Sequence, residues 1–231
     1  MSLALFPSIL CGTDYGPSGV AARRQAAWVA GEHGTVELVP AGELMACGPE
    51  ELAQRCLGHD LLVLGSEAEA HALFAHAGIP ALLARWCPHG HDLTDEILVA
   101  VGGHPGCERA AVLAADLARR YRGSVSVVAV HEHSREMRRA LAATSRIILC
   151  GAGHVPRVLG EPAPPEIAVP EAANEIGATM LVLGIGDDAW DAEVARTIAR
   201  GVACSVLAVP EPRPLRRRFT PSVSRRALLP A

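Results

Sequence analysis

The chain contains no lysine: all 21 basic residues among its 231 are arginine. That absence excludes whole chemistries. P-loop NTPases place a lysine on the phosphates. Protein kinases need one for the same purpose. Pyridoxal enzymes need one for the Schiff base. Aromatics are also scarce, at 3%, and no apolar run reaches the ~18 residues of a membrane span. The N-terminal MSLALFPSIL has no basic start and no full apolar stretch, so no signal peptide is expected and the chain reads as cytoplasmic. Half the residues are apolar and 20% are charged, enough for a packed core. The length suits two domains of about 100–120 residues or one large one.

Seven cysteines are present: Cys11, Cys47, Cys56, Cys87, Cys107, Cys150 and Cys204. The number is odd and no pair is spaced CxxC, so a disulfide framework is not expected. Cys11, Cys150 and Cys204 sit in apolar runs, where thiols act as small hydrophobes. Cys87, His89 and His91 lie together, and His131 and His133 flank Glu132. Thiolate and imidazole suit zinc, but this spacing matches no zinc pattern, and polar linker and strand-end histidines are the better reading. No metal site is expected.

What the chain has is a repeat. Residues 8–39 and 96–128 align without gaps over most of their length: Ile9 meets Ile97, Leu10 meets Leu98, Pro17 meets Pro105, and Ala26 and Ala27 meet Ala114 and Ala115. Each copy runs from a short apolar segment through a Gly/Pro turn to an alanine-rich amphipathic stretch and a second apolar segment. That is strand, turn, helix, strand. A second match joins Leu62–Gly65 to Leu181–Gly184, each preceded by a helix-like stretch, 49–58 and 165–177. Final strands follow near 80–86 and 204–210. Between the first and second matches the offset grows by about 30 residues, one helix-plus-strand unit. The second half therefore carries an extra αβ pair near 133–159, with its strand at either 145–150 or 155–159.

Strands alternating with helices imply parallel sheets covered on both faces. Residues 1–88 read as a truncated α/β domain, 95–210 as a complete one, and Pro88–Asp95 as the link. The final strands Pro80–Trp86 and Cys204–Pro210 are positioned to pair as an internal pseudo-dimer. A truncated sheet also leaves an edge to cover, which makes a homo-oligomer plausible.

The repeat resembles the universal stress protein family in its tandem two-domain form. The carriers are the opening strand ending in an acid (Ile9 to Asp14), Gly160-Glu161-Pro162 before a helix, Leu181 to Gly184 after Gly177-Ala178, and the ending Ala203 to Pro210. The resemblance covers about 9–86 and 96–210. It implies flavodoxin-like sheets, dimers or paired tandem domains, and ATP as a ligand in many members. In nucleotide-binding members the strand-one aspartate reaches the adenosine. A Gly-x2-Gly-x9-Gly-Ser/Thr segment after the fourth strand holds phosphate. By that resemblance the vestigial cofactor positions are Asp14, Gly65, Ser66, Gly102, Gly103, Gly184 and Gly186.

The pattern is broken in both halves. Counting from Gly184, the second glycine falls on Asp187 and the third on Thr197, followed by Ile198; counting back from the last strand gives Ala192 and Glu193. The loop after Gly186 carries Asp187, Asp188 and Asp191 and no basic residue, and carboxylates repel phosphate. It reads as a solvated face, with a hard cation the other option. The second half has Gly102-Gly103 where the first has Asp14. The first keeps Asp14 but has Glu67, Ala68 and Glu69 after Ser66. Asp14 itself fits a turn or helix cap equally well.

The expectation is a non-enzymatic stress-response binding or regulatory module without a bound cofactor. No nucleophile–base pair or paired-acid site is visible in the sequence. The rival is an adenine-nucleotide (ATP/AMP) sensor or weak ATPase using Asp14, Gly184 and Gly186. Residues 211–231 hold six arginines and one glutamate, a charge of +5, which leaves −9 on the rest of a chain whose formal total is −4. Such an end reads as a tail or arm that docks on an acidic body or protein partner. With few aromatics to stack bases, nucleic acid is the weakest partner.

Overall fold

A computed structural model of the chain describes residues 4–65, 78–85, 93–102, 104–130, 134–161, 163–186 and 189–211. Ser66, Gly103, Asp187, Asp188, the Cys87/His89/His91 cluster, His131 to His133 and the tail beyond Glu211 lie outside those residues. So does most of the link between the halves.

The first half runs β1 (Ser8–Thr13), α1 (Pro17–Ala30), β2 (Thr35–Pro40), α2 (Ala41–Met45), α3 (Pro49–Arg55), β3 (Leu61–Gly65) and β4 (Ala81–Ala84). The second runs β5 (Glu96–Val101), α4 (Pro105–Tyr121), β6 (Ser124–Val130), α5 (Arg135–Ala152), β7 (Arg157–Glu161), α6 (Pro165–Ile176), β8 (Met180–Ile185), α7 (Ala189–Gly201) and β9 (Ser205–Pro210). Proline opens α1, α3, α4 and α6. Its fixed φ suits the first helical turn, where its missing N–H costs nothing.

The nine strands among the described residues form one sheet, in the order β2-β1-β3-β4-β9-β8-β5-β6-β7. Every neighbour is parallel except β4 and β9, which pair antiparallel with Ala81 opposite Ala208 and Leu83 opposite Val206. β3 and β4 are buried at every position, as strands covered on both faces must be. Alternate side chains feed two cores. Leu10, Leu62, Leu98 and Leu181 face one side. Ile9, Val63, Ile97 and Val182 face the other, beneath the alanines of α1 and α4. The apolar run Arg146 to Cys150 belongs to α5, and the extra strand is 157–161. Burial there is one-sided: Ile148 is buried, whereas Leu149 and Cys150 are exposed. Cys150 is thus not the core residue its apolar run implied.

Among the described residues the first half has four strands and the second five. The difference shows at β2. Leu38, beside Cys11, is 52% exposed, whereas Val127, in the matching place beside Val99, is 0% exposed. In the second half α5 and β7 cover that position.

The halves are locked at β4 and β9. Arg85 follows β4 and crosses to the end of α7. Its guanidinium donates to the carbonyls of Ala199 and Val202, and to Cys204 O at 3.1 Å. Its backbone N–H donates to Ser205 Oγ (3.1 Å), and its carbonyl accepts from Gln25 Nε2 (2.8 Å). Ser205 Oγ closes the circuit on Gln25 Oε1 at 3.1 Å. Burial lowers the Arg85 pKa from its ordinary value, although the nearby Cys204 opposes the shift. Trp28 of α1 stacks on Tyr121 of α4 with ring centroids 3.8 Å apart. We expect Arg85→Ala to cost about 3 kcal/mol in urea unfolding, the scale of charge-assisted hydrogen bonds left unmade. A change inside the ±0.5 kcal/mol typical of surface sites would remove Arg85 as the lock.

Candidate functional site

Ligands of open α/β sheets sit outside the carboxyl ends of strands. In the first half that place lies between the ends of β1 and β3 and the start of α1. Asp14 occupies it. Its Oδ1 accepts the backbone N–H of Gly16 at 2.8 Å and of Gly19, the third residue of α1, at 3.1 Å. The carboxylate therefore caps α1, a task that Gly16 at the cap position has no side chain to perform. Thr13 Oγ1 donates to Gly19 O at 3.2 Å and fixes the same turn. The carboxylate lies so close that a Cβ on Gly19 would stand 2.3 Å from Oδ1.

Gly65 ends β3. A Cβ there would fall 2.8 Å from the backbone carbon of Ser18 in α1. The glycine thus lets a strand end touch the first helical turn. A small cavity among the described residues, lined by Gly12, Asp14, Gly19, Ala41, Met45, Leu64 and Gly65, has a volume of about 10 Å³. That holds about one water.

The second half repeats the contact with other residues. A Cβ on Gly184 would stand 2.5 Å from Cys107 N and 2.6 Å from the Gly106 carbon. Gly184 is thus the packing partner of α4, as Gly65 is of α1. Gly102 follows β5, and its N–H donates to Cys107 Sγ at 3.2 Å. Cys107 Sγ lies 3.2 Å from His104 Nε2. Gly186, half-buried, follows β8.

The alignment of the two copies now has chemical content. Asp14 matches Gly102, and Gly19 matches Cys107. In one half a carboxylate from the strand end meets a glycine on the helix. In the other a helix thiol meets a glycine at the strand end. The same small space is filled from opposite sides.

Sequence reading missed three residues here. Cys107 and His104 form a thiol–imidazole pair that their spacing did not announce. Arg109, on α4, reaches the end of β9 and donates to Pro210 O at 3.3 Å. It places a positive charge at the end of β9, beside β8, whose own following loop carries none. The swap of Asp14 for Gly102 and Gly19 for Cys107 was the available signal. Burial pushes the Cys11 and Cys56 thiols up to about 11. Among the described residues no cluster of three or more metal-ligating side chains is present. No helix among them is long and apolar enough to cross a membrane.

No protein-family model and no curated protein matches the chain. Solved structures do. A universal stress protein from Archaeoglobus fulgidus DSM 4304 superposes with a TM-score of 0.66 at 14% identity, over 88% of this chain and 96% of that one. A functionally unknown protein from Pseudomonas aeruginosa PAO1 superposes with a TM-score of 0.63 at 17% identity, over 91% and 94%. The chain has the fold of a universal stress protein, and the likeness spans both halves.

The packing contacts set an expectation for stability. Gly184→Ala should cost about 3 kcal/mol by forcing α4 off the strand end. Asp14→Ala should cost about 1 kcal/mol through the lost cap. Urea unfolding of both variants measures this, and a Gly184→Ala protein as stable as the parent would refute the packing role.

Proposed function

We propose that the chain is a tandem universal-stress-protein-like protein of the stress response, cytoplasmic and non-enzymatic, acting as a binding or regulatory module without a tight ATP site. One observation carries this reading: among the described residues, the space between the end of the first strand and the start of its helix is occupied in each half by the chain's own side chains. Asp14 spends its Oδ1 on Gly16 and Gly19. Cys107 and His104 fill the matching space in the second half. The glycines that would approach a phosphate are instead pressed against helix backbone. A ligand that engaged Asp14 Oδ1 would compete with the backbone N–H groups of Gly16 and Gly19 for it.

The basic end of the chain is the natural element for a protein partner, since the rest of the molecule is acidic. The pairing of β4 with β9 supports the internal pseudo-dimer, because it occupies both final strands within one chain. Self-association would then use another edge.

The rival reading is an adenine-nucleotide sensor. The position of Asp14 at the end of β1 favours it, together with Arg109 at the end of β9. Calorimetric titration with ATP, ADP and AMP separates the two. We expect no micromolar binding, a scale that corresponds to about −8 kcal/mol. Micromolar binding abolished by Asp14→Ala would replace the proposal with the sensor.

A further inference from the structure

The second-half cleft holds a chemistry that the first lacks. Cys107 is the third residue of the 17-residue α4. Its sulfur receives the Gly102 N–H at 3.2 Å and stands 3.2 Å from His104 Nε2. Those contacts, with the partial positive charge of a helix start, favour negative charge on sulfur. The repeat offers a comparison. The matching space in the first half holds a carboxylate that accepts the backbone N–H groups of Gly16 and Gly19; in the second the equivalent N–H, that of Cys107, donates to His104 O at 3.0 Å, and the N–H reaching the sulfur is that of Gly102.

His104 adds a second indication. Its Nδ1 is buried and has no hydrogen-bond partner among the described residues. Buried polar atoms without partners are rare, and a redox or catalytic task is one of the reasons they are retained. The thiol is the polar contact recorded for this imidazole. His104 Nε2 is therefore placed to take the Cys107 proton. The ring itself is half-buried.

We infer that Cys107 is a peroxide-reactive thiol, activated by His104, and that its oxidation is a modification site of this protein. His104 Nε2 first takes the thiol proton. The thiolate then attacks one oxygen of hydrogen peroxide. The sulfur–oxygen bond forms as the oxygen–oxygen bond breaks, and sulfur is oxidised by two electrons. The departing hydroxide takes the proton from His104 and leaves as water. The products are Cys107 sulfenic acid and neutral His104, one peroxide being consumed per thiol.

The product has a structural consequence. Cys107 is 4% exposed, and a Cβ on Gly102 would already lie 3.1 Å from its sulfur. An added oxygen must push on the end of β5 or on the first turn of α4, which Gly184 holds at backbone contact. Oxidation therefore loosens the junction of β5, β8 and α4. The inference goes beyond the proposed function and does not depend on whether nucleotide binds.

The test uses the full chain, hydrogen peroxide and a cyclic 1,3-diketone that traps sulfenic acids, read by peptide mass spectrometry. Cys150 is the internal comparator, because it is exposed. Exposure alone makes Cys150 react first. Activation makes Cys107 react about tenfold faster than Cys150 near neutral pH. His104→Asn should bring Cys107 down to or below the Cys150 rate, while the Cys150 rate stays unchanged. Faster labelling of Cys150 than of Cys107 in the parent protein would overturn the inference with no variant needed. So would an unchanged Cys107 rate in a folded His104→Asn protein.

Discussion

The pairing of β4 with β9 holds the molecule together. Four strands of one half and five of the other meet there, and at that seam alone the strand direction reverses. Backbone ladders accept any sequence, so the seam needs something that fixes its register. Arg85 supplies it. Carbonyls at the end of α7 carry partial negative charge and lack intrahelical partners. A guanidinium has five donors and no acceptor, so it can serve several of those carbonyls at once. Gln25 and Ser205 tie the same point to α1 and β9. At the seam of the continuous sheet, a single cation from one half satisfies the end of a helix from the other.

A second constraint governs the site. Each half must bring the end of its third-laid or eighth-laid strand, β3 or β8, onto the first turn of a helix. The approach is close enough that only glycine fits, at Gly65 and at Gly184. In a fold that binds nucleotides, glycine at a strand end suggests backbone reaching for phosphate. Here the same residue serves packing. Among the described residues, a small space lies between the helix start and the first strand of each half. Asp14 fills it in one half, and Cys107 with His104 fills it in the other.

Much of the architecture was legible in the amino-acid sequence. The copies at 8–39 and 96–128 announced a strand–helix–strand unit made twice. The growth of the offset located an additional helix and strand in the second half. The ambiguity between 145–150 and 155–159 had a physical origin. Arg146 to Cys150 is apolar and β-branched enough to read as a strand, and only one-sided burial reveals its helical period. Arg85 was not legible at all, because its partners are carbonyls and leave no side-chain signature. The Asp14 and Cys107 exchange was legible in principle. It hid because Gly102 and Gly103 read as an ordinary turn, and because a cysteine three residues after a histidine matches no familiar spacing.

The seam also bears on the order of events in folding. Arg85 and its carbonyl partners on α7 and beyond are separated by 114 to 119 residues of chain. The strand–helix–strand units within each half are far more local, and local contacts form at lower entropic cost. The seam is expected to close last, between two surfaces that have already formed. The four-stranded half, with Leu38 open on its outer strand, would meet that event as the weaker partner. Its persistence then rests on the encounter with β9, which makes the shorter half the client and the longer half its template.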